Sequence, residues 1–465
     1  MILEDTIVAL ATASGSGAIA VIRVSGPDAF NFTAPIFKAK NNISLLKQKS
    51  HTLQLGNIID ENRIIDESLV SVFRGKRSYT GENTVEISCH GSPFIQQEII
   101  NLLLNQGCRS AKPGEFTLRA FLNGKMDLSQ AEAVADLISS DNAASHQLAM
   151  QQMRGGFASE IQKLREELLN FASLIELELD FSEEDVEFAN REEFQRLITR
   201  ILKVLNKLID SFAVGNVLKN GIPVAIVGEP NVGKSTLLNA LLNEDRAIVS
   251  DIAGTTRDTI EDEISIGGVG FRFIDTAGIR ETTDEIEGLG IKKTFQKIEQ
   301  AQVVMYLFDA YRVKNEKVSL QQVKTEVEKI KNRFPGKPLL IVANKTDVLS
   351  EKEKQAFQDE ISDLKLLSAK ENEGVEILQD KLLEFVNTGA LRSNDTIVTN
   401  SRHYDSLLKA QEEINKVQEG LNMGLTGDLL AIDIRQALYY FGEITGEITT
   451  DDLLGNIFAN FCIGK

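Results

Sequence analysis

The stretch "VAIVGEPNVGKSTLLNALLN" admits few folds. An apolar run ends in a glycine-rich turn that matches G-x-x-x-x-G-K-[ST] at Gly228, Gly233, Lys234 and Ser235, and a helical pattern follows at once. Strand, phosphate loop and helix in that order begin a doubly wound sheet, whose ligand loops lie at the carboxyl ends of its strands. The apolar runs "FRFIDTAG", "VVMYLFDA" and "LLIVANK" alternate with helical segments to about residue 384 and extend the same sheet. The backbone N–H groups of Asn231, Val232 and Gly233, with those of Lys234, Ser235 and Thr236 at the helix start, are expected to face phosphate oxygens. Lys234 would neutralise the β- and γ-phosphates and the Ser235 hydroxyl would ligate magnesium.

Which base the loop serves is read further on. In "NKTD" (Asn344, Lys345, Thr346, Asp347) the Asp347 carboxylate can accept two hydrogen bonds from guanine N1 and its exocyclic amine. Adenine offers an acceptor at N1 and lacks that amine, so the pattern selects GTP by leaving polar groups unpaired in the wrong complex. "SAK" (Ser368, Ala369, Lys370) fits the loop that closes over the base. "DTAG" (Asp275, Thr276, Ala277, Gly278) ends a strand and would set Asp275 in the magnesium second shell, with the Gly278 N–H at the γ-phosphate. In "SDIAGTTRD", Thr256 is the natural second hydroxyl ligand to magnesium, on a loop that orders around the γ-phosphate. One part is missing: where many GTPases carry a Gln just past that glycine to orient the attacking water, this chain has Ile279.

At 465 residues the chain is too long for one core. Residues 1–118 mix strand runs ("AIAVIRVSG", "ESLVSVFRG", "NTVEISCHG") with the helical "PFIQQEIINLLLNQG", an α/β pattern. Residues 119–216 and 385–465 read as helical, and the pattern breaks at Gly215 and Gly221 before Pro223 opens the strand of the nucleotide segment, 217–384. The expected fold is therefore multidomain α/β plus all-α, with a Ras-like phosphate-loop domain inserted into a helical one. Two separate helical bundles would fit the same text.

No run is apolar enough to span a bilayer, and Glu4 and Asp5 occupy the place where a secretory signal needs Lys or Arg, so a cytoplasmic location without membrane contact is expected. Cys89, Cys108 and Cys462 stand far apart without a CxxC pair, which argues against disulfides and structural zinc. The formal charge is −18. Residues 1–120 hold 12 Lys plus Arg against 11 Asp plus Glu, a net of +1, which leaves −19 on the remainder. A polyanion would need a local patch, and "FRGKRSYTGE" (Phe73 to Glu82) is one candidate.

Several stretches, "DTIVALAT", "VIRVSG", "YTGENTVEISCHGSP", "PGEFTLRAFLNGKMDLSQAEAVADLI", "DIAGTTRD", "DTAGIRETTDEIEGLGI" and the terminal "FCIGK", resemble the MnmE (TrmE) family of tRNA modification GTPases over essentially the whole length. The resemblance implies a homodimer joined through residues 1–118. It implies an FAD-dependent MnmG-type partner, in a heterotetramer or larger complex, with which it adds an aminomethyl or carboxymethylaminomethyl group at C5 of the wobble uridine of certain tRNAs. It also implies that residues 1–118 bind 5-formyl- or 5,10-methylene-tetrahydrofolate, at positions matching Arg23, Glu82, Lys125 and Lys465. By charge type the cations suit the folate glutamate tail and Glu82 the pterin edge.

Three further roles follow from the resemblance. Cys462 is expected to serve tRNA modification, by chemistry or by packing. Asn231 supplies a side-chain carbonyl, and the following loop the backbone carbonyls of Ser250 and Ile252 with the Thr255 hydroxyl; four oxygens without formal charge suit a monovalent cation better than magnesium, and the family implies K+ there. Glu287 in "DEIEG" would orient the water, with Asp284 and Glu285 next in line. The alternative is a GTP-dependent binding switch in ribosome or tRNA maturation, which would need neither a folate domain nor "CIGK".

Overall fold

The computed structural model describes residues 4–180, 190–245, 261–275, 295–315, 318–385, 396–459 and 461–464. The chain divides into two compact units: Met1–Ser139, Ala149–Asn206 and Arg402–Lys465 form the first, Ser140–Leu148 and Lys207–Ser401 the second.

The first unit begins with a mixed sheet in the order β3-β4-β5-β6-β2-β1-β7. Its strands are β1 (Ile7–Leu10), β2 (Ile19–Ser25), β3 (Phe37–Ala39), β4 (Thr52–Asp60), β5 (Arg63–Phe73), β6 (Thr84–His90) and β7 (Arg109–Ser110). All neighbours are antiparallel except β1 and β7. Period-2 patterning sets the faces. Ile22 and Val24 on β2, Val70 and Val72 on β5, and Val85 and Ile87 on β6 are fully buried and form one core with Ile99 and Leu103 of the helix Pro93–Asn105. The intervening residues, Arg23 and Glu86 directly opposite each other, face away from that core.

Helices complete this unit. Gly156–Asp180, before the nucleotide segment, packs against Gly427–Thr445, after it. Gly427 makes the approach possible, because a Cβ there would lie 2.8 Å from Ile175 Cγ2. The helices on either side of the nucleotide segment therefore share one packed unit, and the nucleotide domain is inserted; the two-bundle arrangement is not what forms. The helix Asp451–Ala459 then packs on the helix Glu115–Leu122 through Leu454 and Phe458.

The second unit holds a six-stranded sheet in the order β13-β12-β11-β8-β10-β9. Its strands are β8 (Ile222–Val227), β9 (Glu261–Ile266), β10 (Val269–Asp275), β11 (Val303–Asp309), β12 (Leu339–Asn344) and β13 (Leu364–Leu366). Every neighbouring pair is parallel except β10 and β9. All seven residues of β11 are buried, as expected of a strand covered on both faces: Met305 and Leu307 join one core, Val304, Tyr306 and Phe308 the other.

One boundary differs from the sequence reading. The helix Arg191–Asn220 runs straight through Gly215 and ends only before Gly221, whose φ is +75°. Gly215 is there for closeness and not for a break: a Cβ would run into the Val398 carbonyl oxygen and lie 2.7 Å from Ile397 Cγ2. A helical glycine with a packing role is locally indistinguishable from a breaker.

Candidate functional site

The carboxyl ends of β8, β11, β12 and β13 carry the loops that the motifs single out. After Val227 the chain turns through Gly228, where a Cβ would meet the Leu307 carbonyl oxygen, and Lys234 opens the helix Lys234–Asp245 with Ser235 and Thr236 in its first turn. Two residues between them hold the left-handed conformation, Asn231 at φ +64° and Gly233 at φ +96°. A non-glycine residue held there costs about 1–3 kcal/mol, a strain found at ligand clamps. Gly233 cannot carry a side chain, since a Cβ would press on Asn344 Nδ2. The result is a bare backbone turn at a helix N-terminus, which fits a phosphate chain. Lys234 is 9% exposed.

Asn344 is a strut between the loops. Its Nδ2 donates to the Val232 carbonyl at 2.9 Å, while its Oδ1 accepts from Lys345 N–H at 2.8 Å and Ala369 N–H at 3.0 Å. The phosphate loop, the "NKTD" turn and the "SAK" turn are thereby fixed to one side chain that is 2% exposed. Lys345, itself left-handed at φ +63°, extends its ammonium to the Asn231 carbonyl at 3.1 Å and to Asp309 Oδ2 at 2.6 Å. Asp309 escaped the sequence reading, although an acid closing a fully apolar strand was a visible signal. Asp347 Oδ1 accepts from the Ser368 hydroxyl at 2.7 Å, which aims the carboxylate, and Lys370 lies exposed in an ion pair with Glu371.

Asp275 is the last residue of β10, paired in register with Ile226. Ser250, Ile252, Thr255, Thr256, Thr276, Ala277, Gly278 and Glu287 lie outside the described residues, as do Ile279, Asp284, Glu285 and Lys465.

The first unit gathers the other candidates. Arg23 sits within β2, donates to Glu86 Oε1 at 2.9 Å, and lies 5.5 Å from the Tyr79 ring and 5.6 Å from the Phe116 ring. The end of the chain returns to it: Arg23 Nη1 donates to the Gly464 carbonyl at 3.4 Å. Gly464, at φ +96°, lies so close to the Leu10 carbonyl that no side chain would fit, and Gly114 N–H donates to the Cys462 carbonyl at 3.3 Å. Glu82 Oε2 accepts from Ser25 Oγ at 2.9 Å and from Arg119 at 3.2 Å, and Lys125 packs 3.4 Å from the Cβ position of Gly81 while its ammonium donates to the Lys76 carbonyl at 2.8 Å. Arg23, Glu82, Lys125 and the terminal segment are brought to one region of this unit.

Arg119, which sequence reading missed, is 1% exposed and paired with Asp5, Glu82 and Glu115. The Arg109 hydrogen bond, helped by Arg119 against the cost of burial, draws the Asp5 carboxyl below its ordinary value. Among the cysteines, burial pushes Cys89 up to about 11 and Cys108 to about 12, so both are protonated core residues at neutral pH, whereas Cys462 is exposed.

The sheet order, the glycine-bound phosphate turn and the aimed Asp347 together define a phosphate-loop GTPase of the doubly wound class. The comparisons narrow this. Residues 6–125 match the family described as GTP-binding protein TrmE N-terminus, and residues 128–462 match the MnmE helical domain. The protein named tRNA modification GTPase MnmE from Christiangramia forsetii is 73% identical with 100% of both chains covered, and its namesake from Flavobacterium psychrophilum is 70% identical over the same shares. That of Bacteroides thetaiotaomicron is 54% identical, covering 99% of this chain and 100% of its own. The chain belongs to the MnmE family.

Proposed function

We propose that this chain is a potassium-activated GTP hydrolase which, with an FAD-dependent MnmG-type partner, adds an aminomethyl or carboxymethylaminomethyl group at C5 of the wobble uridine of certain tRNAs in the cytoplasm. The observation that carries this reading is the return of the "CIGK" end to Arg23 in a unit that contains no phosphate loop. A plain binding switch has no use for that arrangement.

In this reading residues 1–118 bind the folate and pair two copies, 119–216 and 385–465 form the helical domain, and 217–384 hydrolyse GTP. Lys234, Ser235 and the turn at Asn231 to Gly233 hold the phosphates. Ser235 and Thr256 would hold Mg2+, which when bound would supply positive charge against the phosphates, and Asp275 with Gly278 would complete the γ-phosphate end. Asn231, Ser250, Ile252 and Thr255 would hold K+ where other GTPases receive an arginine, supplying positive charge there, and Glu287 would orient the water in place of the missing Gln. The pairing of two copies is supported by the open face of the first sheet, where Leu55 and Leu69 stand directly opposite each other and both are exposed, with exposed Leu53 next along the strand.

The cation assignment is tested by GTP turnover in matched salts. Hydrolysis should be much faster in potassium than in sodium, Asn231→Ala should lose the difference, and Glu287→Ala should slow turnover roughly 10²-fold while GTP still binds. Equal rates in the two salts would reject the potassium site.

The folate assignment rests on an arginine that faces aromatic rings and a chain end. Titration calorimetry with 5-formyl-tetrahydrofolate should show binding to the wild type and at least about tenfold weaker binding to Arg23→Ala, the loss of one charge-assisted contact. A wild type that gives no heat while it binds GTP would end the folate reading. Cys462→Ser is expected to keep GTP turnover and lose the modified uridine.

A further inference from the structure

The cations of the N-terminal region fall into two groups. Of the twelve Lys and Arg in residues 1–120, five are ion-paired: Arg23 with Glu86, Lys40 with Glu67, Arg63 with Glu98, and Arg109 and Arg119 with Asp5 and Glu115. Seven have no ion pair among the described residues, and five of those seven, Lys47, Lys49, Arg74, Lys76 and Arg77, come from just two segments. Those segments are acid-free: no Asp or Glu occurs between residues 41 and 59 or between residues 68 and 81. A third such segment, 116–126, supplies Lys125.

The fold brings the three segments together and fixes them. The Arg74 guanidinium donates to the Leu46 carbonyl at 2.8 Å and to the Gln48 carbonyl at 2.9 Å, and lies 4.3 Å above the Phe30 ring, so the backbone that carries Lys47 and Lys49 is fastened to the start of the 74–77 turn. Arg74 N–H also donates to Ser50 Oγ at 3.0 Å. On the other side, Lys125 Nζ reaches the Lys76 carbonyl at 2.8 Å and Asn123 Nδ2 the Thr80 carbonyl at 2.8 Å. Gly75, at φ +51° with open space around it, turns the chain so that Lys76 and Arg77 stand exposed; Lys47, Lys49 and Lys125 are exposed too.

We propose that this surface, formed by Lys47, Lys49, Lys76 and Arg77 around the Arg74 anchor and bordered by Lys125, is where the chain grips the phosphate backbone of RNA. It rests on the reading of the chain as a tRNA-modifying protein and names the surface that such a protein needs. A chain of net charge −18 repels a polyanion nearly everywhere else, so binding must be concentrated where positive charge is not cancelled. Cations drawn from three segments suit a backbone of successive phosphates better than the single tail of a small anion. Lysines serve here as point charges that position RNA without reading its sequence.

The test is binding of unfractionated tRNA to the full chain between 50 and 200 mM salt, for the wild type and the double variants Lys47→Glu/Lys49→Glu and Lys76→Glu/Arg77→Glu. Each variant should bind at least about tenfold more weakly, with the slope of log affinity against log salt reduced by about 1 for each cation removed. Circular dichroism melting of both variants should match that of the wild type, which shows that the first unit folds, and GTP turnover, which belongs to the second unit, should stay at the wild-type rate. Variants that bind tRNA with wild-type affinity and slope would overturn the surface and leave the tRNA reading standing, whereas a wild type that does not bind tRNA would overturn both. Variants that keep tRNA but lose triglutamyl-tetrahydrofolate would reassign the cations to a folate tail and also overturn the proposal.

Discussion

Asp347→Asn is expected to weaken GTP binding by about 10²–10⁴-fold, from the loss of charge-assisted hydrogen bonds worth roughly 1.5–3 kcal/mol each. The Ser368 hydroxyl donates to one carboxylate oxygen at 2.7 Å, so the group is held in place while both oxygens keep lone pairs that can accept from guanine. An amide offers one acceptor and a donor face that opposes the guanine N1–H and amine, while xanthine, with a carbonyl in place of the amine, matches it. The variant should accordingly bind XTP better than GTP in a competition assay. Unchanged GTP affinity would remove Asp347 from the base site and with it the argument for guanine.

The second large effect lies far from any nucleotide. Glu132, 8% exposed, receives a bidentate pair from Arg402 at 2.9 Å and 2.9 Å, and His403 Nε2 at 2.7 Å. Burial pushes this carboxyl up, but His403 and Arg402 outweigh burial and hold it at about 2 against an ordinary 4.5. A depressed carboxylate stabilises the fold fully above its unfolded value, and that contribution, about 3 kcal/mol, disappears as the pH falls from 4.5 towards 2. Glu132→Gln should destabilise the first unit by about 3–5 kcal/mol at pH 7, because it leaves the half-buried Arg402 without its counter-charge. Urea denaturation at pH 7 and pH 3 checks the sign: the gap between wild type and variant should narrow at the lower pH. A gap that stays the same or widens would show that the ion cluster does not carry this stability.

The nucleotide strands could be read from the sequence because each is a short apolar run ending in the residues that do the work, so strand and ligand loop are contiguous. Strands of the first sheet such as β4 and β1 were not singled out, since their patterns are short or interrupted by Gly56. What escaped entirely were partners distant in sequence. Glu132 and Arg402 are 270 residues apart, and nothing near either one marks the other. Asn344 was expected at the base, and its 2.9 Å bond to the Val232 carbonyl shows that it also ties the phosphate turn to the base loop. Arg119 sits in a helical pattern that gives no hint of three carboxylates around it, because two of them, Asp5 and Glu82, come from other segments of the chain.

Nucleoside mass spectrometry of tRNA from cells lacking this chain, complemented with wild type or with Asp347→Asn, tests most directly whether GTP use here serves chemistry on a base. The C5-substituted wobble uridine should be missing without the chain, return with the wild type and fail to return with the variant at normal GTP concentration. A full level of that nucleoside in cells without the chain would contradict the modification reading and leave a GTP-dependent switch as the better account.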